Sequence, residues 1–150
     1  IFVSNSDTCR GPMAEAILKS KFLLSELEVE SRGLVVLFPE PVNQKAEAVM
    51  ISNGLKPEGF MSEQITEEDI TDNTLILTMS EESRQKIFEL FPNVEKEDVA
   101  VLTEFVGDEL EILNPYGGNL QAYGICYETL NKSIKKLVKI LNEGEEKCQK

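Results

Sequence analysis

Short apolar runs alternate with longer amphipathic stretches from one end of the chain to the other. Ile1 to Val3 read as a buried strand that stops at a polar loop, and Glu28 to Leu37 contain a second, VESRGLVV. Thr74 to Met79 (TLILTM) form a third strand and Val99 to Phe105 a fourth. Between them lie helical patterns. Pro12 opens the first, where a missing N–H costs nothing, and Met13, Ala16, Ile17, Leu24 and Leu27 supply its apolar face. Asn43 to Asn53 make a second helix, with Asn43 as N-cap and Gly54 as the left-handed residue after its end. Thr66 to Asp69 look like a single capped turn. Ser80 caps the stretch SEESRQKIFELF, which Pro92 ends. Leu113 to Gly118 must be a loop, and Asn119 caps a last helix whose Leu120, Tyr123, Tyr127, Leu130, Ile134, Leu137 and Leu141 step by three and four.

Strands followed in turn by helices, with no repeat or linker, predict a single α/β domain over residues 1–150. Its sheet is four-stranded and parallel, with helices on both faces. Ligands of such sheets sit outside the carboxyl ends of the strands. The loop after the first strand and the loop around Asn114 are both expected there.

Composition narrows the function. With 15 Lys+Arg against 27 Asp+Glu the net charge is −12, which argues against nucleic acid or anionic membrane as a general partner. A phosphate site must then be local, built from backbone N–H groups and one or two cations. Histidine is absent, removing Ser-His-Asp and Cys-His catalysis and most zinc enzymes. The three cysteines are too scattered for a disulfide framework or a metal site, so no cofactor or metal is expected. With no signal-peptide pattern and no membrane-length apolar run, the expected setting is the cytoplasm, as a monomer or weak dimer.

The loop Ser4-Asn5-Ser6-Asp7-Thr8-Cys9-Arg10 runs from a strand into a helix N-terminus. Such a loop can aim successive amides at an anion, with the helix dipole behind them and the Arg10 guanidinium as a bidentate fork. It can equally be an ordinary link whose polar residues only cap and turn. On the residues alone both readings stand.

The stretch resembles the signature of the low-molecular-weight protein tyrosine phosphatases: valine, cysteine, five residues, arginine, usually serine, then Pro-Met-Ala-Glu. Here Val3 is followed by Ser4, Asn5 to Cys9, Arg10, Gly11 and Pro12-Met13-Ala14-Glu15. Ser31-Arg32-Gly33 resembles the family's strand end, and Pro41-Val42-Asn43-Gln44-Lys45-Ala46 its helix start. Ser62-x-Gln64, ITEEDI and TLILTMS match its middle, and Asn114-Pro115-Tyr116-Gly117-Gly118 stands where it carries Asp-Pro-Phe/Tyr-Gly-Gly.

The resemblance implies roles for particular positions. Ser4 stands at the nucleophile, Arg10 at the group that binds the phosphoryl oxygens in the transition state, and Asn114 at the general acid. Asn5, Ser6, Asp7, Thr8 and Cys9 complete the phosphate-binding loop, and Tyr116 is the aromatic wall. A thiol in such a loop is ionised at neutral pH. A serine hydroxyl is not, and the usual partner base, histidine, is missing. An asparagine has no proton to give, and losing a positioned acid forfeits roughly 10²–10⁴-fold in rate. Gly11 replaces a hydroxyl that helps to hold the nucleophile's charge. Hydrolysis through a phosphorylated nucleophile, the family reaction, is therefore expected to be absent or severely impaired, with binding retained.

The expected partners are a phosphorylated protein or small aryl phosphate, with inorganic phosphate or sulfate in the loop. A natural pseudophosphatase that holds phosphotyrosine or phosphoarginine is the alternative. Arsenate reduction needs paired shuttling cysteines, which Cys126 and Cys148 do not provide. Replacement of the nucleophile to trap a ligand and natural divergence both fit Ser4, although Gly11 points to divergence. Cys9 and Cys126 are expected as buried packing residues, and Cys148 as incidental. Asp7 is expected to bond loop amides away from the pocket. Lys132, Lys135, Lys136 and Lys139 are expected to form a solvated helix face, and Glu63, Glu67, Glu68 and Asp69 a surface cluster.

Overall fold

Phe2 and Val3 point to opposite sides of their strand, and each side has its own hydrophobic core. In the computed structural model, which describes residues 1–57 and 59–148 and side chains through residue 144, that strand is β1 (Phe2–Ser4). It pairs in parallel with β2 (Ser31–Gly33) on one side and β3 (Ile76–Thr78) on the other, and β4 (Val99–Val101) closes the sheet in the order β2-β1-β3-β4. Val3 lies opposite Arg32 and Thr78, and Ile76 opposite Val99.

On the Phe2 side pack α1 (Arg10–Lys19), α2 (Gln44–Ser52) and α5 (Leu120–Cys148), through Met13, Ile17, Met50, Tyr123, Leu130 and Ile134. On the Val3 side α3 (Glu81–Leu90) inserts Ile87 against Ile76 and Val99. Each fully buried aliphatic side chain is worth about 1.5–3 kcal/mol. The layers therefore fix the sheet, and with it the loops at its carboxyl ends.

Capping chemistry sets the helix starts. Asn43 Oδ1 accepts from the Lys45 and Ala46 amides at 2.9 and 3.4 Å, and Ser80 Oγ accepts from the Ser83 amide at 3.2 Å. Asn119 Oδ1 accepts from the Ala122 amide at 2.9 Å, and Thr66 and Asp69 form the expected capping box. Gly54, at φ 80°, follows α2 and donates to Ile51 O at 3.0 Å.

Four expectations are corrected. All strands are three residues long, and the fourth does not reach Phe105: Leu102–Val106 is a short helix, α4, ended by Gly107 at φ 84°. β3 ends at Thr78, opposite Val101, so the ladder offers Leu102 no further partner, and residues 102–106 coil and pack on α5 instead. Helix α1 begins at Arg10, so Pro12 is its third residue, still in the turn where amides have no intrahelical partner. It stops at Lys19, because Ser20 folds back with Oγ donating to Ile17 O at 2.6 Å, and Leu24 and Leu27 lie beyond it, exposed. Leu120 on α5 is also exposed.

Two charged groups do more than solvate a surface. Lys136 pairs with Asp108, which also accepts from Ser133 Oγ at 2.6 Å, tying the segment after α4 to α5. Arg32 reaches Glu30, Asp69 and Glu63 at 2.9, 3.2 and 3.5 Å, so Asp69 and Glu63 help to hold the edge strand. Cys126 is buried among the core residues as expected, while the side chain of Cys148 lies outside the described residues.

Candidate active site

The loop from Ser4 to Arg10 connects central strand β1 to the N-terminus of α1, and its backbone is held by its carbonyls. Ser4 O accepts from Leu34 N at 3.0 Å, Asn5 O from Val35 N at 3.1 Å, Thr8 O from Asn43 N at 2.9 Å and Cys9 O from Met13 N at 3.2 Å. The amides of residues 5–10, by contrast, donate to no other protein group among the described residues. A folded protein leaves few backbone donors unpaired. A run of them at a helix N-terminus, beside a left-handed residue (Asp7, φ 59°), is the backbone form that receives anions.

Sequence explains why the turn can lie so close to the sheet. A Cβ at Gly33 would stand 3.1 Å from the Ser6 carbonyl carbon, 3.2 Å from Asp7 Cβ and 2.6 Å from Val36 Cγ2. The loop therefore crosses β2 over bare backbone. Ser6 Oγ and Thr8 Oγ1 bond each other at 3.0 Å along its outer side.

Arg10 closes the loop. It is only 5% exposed, and Nη1 donates to Ile112 O at 2.8 Å. Burial lowers its pKa, opposed by Cys126, Cys9 and Glu111, but a guanidinium stays charged. Through Ile112 it is joined to the segment that carries Asn114 and Tyr116. There Asn114 Oδ1 accepts from Tyr116 N at 3.1 Å, and Gly118 N returns to Pro115 O at 2.8 Å with Gly117 at φ 83°. Tyr116 is 74% exposed. Lys45 Nζ donates to Gly118 O at 2.7 Å, so α2 braces this second loop as well as the first.

Ser4 is 3% exposed and its hydroxyl has no hydrogen-bond partner among the described residues. Cys9 sits at the N-cap of α1 and is buried, as expected, with Sγ donating to the Tyr123 hydroxyl at 3.7 Å.

Asp7 departs from expectation. Its carboxylate is fully buried beneath the loop, and Oδ2 accepts from the amide of Glu63, outside the loop, at 3.2 Å. Oδ1 has no partner. Burial pushes its pKa up to about 7, above a usual carboxylate. The Ser31 hydroxyl and the Glu63 amide act in the opposite sense, the former without meeting hydrogen-bond geometry.

Sequence reasoning thus named the loop, Arg10 and the Asn114 segment, and the fold links them through the hydrogen bond from Arg10 to Ile112. It missed Ile112, which acts only through its backbone carbonyl and leaves no residue-type signal. It missed the brace of Lys45, and noticed Ser31 only as a strand end.

A profile of the family described as low molecular weight phosphotyrosine protein phosphatase matches residues 1–147. The low molecular weight protein-tyrosine-phosphatase PtpB of Staphylococcus haemolyticus (strain JCSC1435) is 32% identical over 136 residues, covering 91% of this chain and 94% of the relative. The YwlE arginine phosphatase of Geobacillus stearothermophilus superposes with a TM-score of 0.90 at 30% identity, over 97% of this chain and 94% of that one. A YwlE arginine phosphatase carrying a cysteine-to-serine mutation and a phosphorylated active-site serine superposes with a TM-score of 0.82 at 30% identity, over 93% of each chain. Match length, identity and shared fold agree, and the chain belongs to the low molecular weight phosphotyrosine protein phosphatase family.

Proposed function

We propose that this chain binds phosphorylated protein side chains through the loop Ser4 to Arg10 and cleaves them only slowly. The observation that carries the reading is the division of labour in the loop backbone. Its carbonyls are tied back into the fold, its amides from Asn5 to Arg10 are free to donate, and Arg10 is buried at its end. Charge-assisted hydrogen bonds from amides and a guanidinium suit a tetrahedral dianion.

The chemistry is weak for two reasons at named atoms. Ser4 offers a neutral hydroxyl where a low-pKa thiol would be ionised. Asn114 spends its carbonyl on the Tyr116 amide and has no acid proton for a leaving group. Ser4 can still receive a phosphoryl group, as the phosphorylated serine of the YwlE arginine phosphatase mutant illustrates for that protein. That neighbour and the Geobacillus enzyme favour phosphoarginine as a second substrate class beside phosphotyrosine. With Cys9 and Cys126 as free thiols, the reducing cytoplasm is the setting we assign.

Titration with inorganic phosphate, followed by calorimetry, should give saturable binding that Arg10→Ala weakens at least tenfold. Ser4→Cys, and Ser4→Cys with Asn114→Asp, should then raise hydrolysis of p-nitrophenyl phosphate by roughly 10²-fold or more over the parent. Phosphate binding without any recovery in the double variant would instead identify a dedicated phospho-residue reader.

A further inference from the structure

Among the described residues three buried polar side-chain atoms lack a hydrogen-bond partner, and all belong to residues that converge on one point. They are Ser4 Oγ, Asp7 Oδ1 and Ser31 Oγ. A Cβ at Gly11 would lie 2.6 Å from Asp7 Oδ1, 3.2 Å from Ser4 Oγ and 3.3 Å from Ser31 Cβ. The bare Cα of Gly11 therefore leaves only a narrow gap, too small for a methyl group, on which the Asp7 carboxylate and the Ser4 hydroxyl both border. An unsatisfied buried polar atom costs about 1–3 kcal/mol, so three in one place mark a site rather than ordinary packing.

Ser4 supplies a hydroxyl whose proton must go somewhere before its oxygen can bond to phosphorus. No histidine exists to take it. Asp7 Oδ1 is the carboxylate oxygen facing that gap, while its other oxygen is anchored on the Glu63 amide. We propose that Asp7 is the general base for Ser4, taking its proton across the Gly11 gap as Ser4 receives a phosphoryl group. This deepens the preceding reading and rests on it.

The step balances as follows at the atoms. Ser4 Oγ bonds to phosphorus while the bond from phosphorus to the leaving oxygen or nitrogen breaks with its electron pair. The Ser4 proton passes to Asp7 Oδ1. The leaving atom takes a proton from water, since Asn114 has none to give. Gly11 is required, because a side chain there would fill the gap between donor and acceptor.

The base works only when ionised. Of the charged side chains around it, Glu15 on α1 raises its pKa and Arg32 on β2 lowers it, while the 62–64 segment offers the Glu63 amide. With burial dominant, the ionised fraction grows as pH rises through about 7.

The test uses the full chain with p-nitrophenyl phosphate and, separately, N-phosphoarginine, reading phosphoserine at position 4 by peptide mass mapping. The parent should be labelled at a rate that climbs with pH through about 7. Asp7→Asn should slow labelling roughly 10²-fold or more and flatten that profile. Inorganic phosphate should still bind the variant saturably, and more tightly above about pH 7 because a carboxylate beside the dianion is gone, which certifies its fold. A thiolate needs no such base, so in a Ser4→Cys background Asp7→Asn should not slow turnover.

Equal labelling of parent and Asp7→Asn with the same pH profile would overturn the inference. So would an equal loss in the Ser4 and Ser4→Cys backgrounds, which would make Asp7 merely structural. Phosphate binding with no labelling of the parent at any pH sinks the base but not the binding site. Absence of phosphate binding sinks both.

Discussion

Asp7 holds its place with one hydrogen bond to a carboxylate that burial would rather keep protonated. Its pKa rises from 3.8 to about 7 on folding, so between these values the native state binds a proton that the unfolded chain has released. Stability must then fall as pH rises across that window, and the contribution of the protonated acid is fully present only below it. Replacing Asp7 with Asn removes the titration while keeping the shape. Urea unfolding at several pH values should show the parent losing on the order of 2 kcal/mol or more between about pH 5 and pH 8 relative to Asp7→Asn. Parallel curves for the two proteins would mean that Asp7 ionises freely. The two positions with the sharpest chemistry here, Asp7 and Gly11, were visible in the sequence only as departures from a motif. Their meeting with Ser31 depends on β1 pairing with β2, which linear spacing does not encode.

Among the elements, α2 braces the loop through its N-cap residue. The amide of Asn43 donates to Thr8 O, while its side chain caps the helix it begins. These two jobs separate on mutation. Asn43→Ala deletes the cap and should lower unfolding stability by about 1 kcal/mol. It keeps the backbone amide, so inorganic phosphate affinity should stay within about twofold; a large loss of affinity with intact stability would show that the cap itself sets the loop. Asn43, Thr66, Ser80 and Asn119 were all legible as caps, because capping is local chemistry between residues two or three apart. The error in the fourth strand has the opposite origin. Leu102 and Phe105 suit a strand or a helix, and burial of Leu102 and Thr103 together was decided by α5 packing over α4. Likewise Leu24 and Leu27 read as part of the apolar face of α1 but ended up exposed once Ser20 had closed it.

Taken whole, the molecule sets a small anion site in an acidic body. The net charge of −12 opposes the approach of a dianion at long range, while the loop amides and Arg10 attract it only at contact. Glu111 stands near Arg10, which brings that opposition close to the site. Flanking charge on a phosphorylated peptide should therefore matter more than its phosphate at low ionic strength, where the screening length is about 30 Å at 0.01 M. A phosphotyrosine peptide with lysines on both sides should bind roughly tenfold tighter than one with glutamates, mainly through a faster on-rate. Near 0.15 M, with screening over about 8 Å, most of that preference should disappear, because only contacts at the loop remain unscreened. Fluorescence polarisation across a salt series reads both effects. A preference for lysine flanks that survives at high salt would point to specific contacts with acidic side chains around the loop, and one for glutamate flanks would contradict the electrostatic argument.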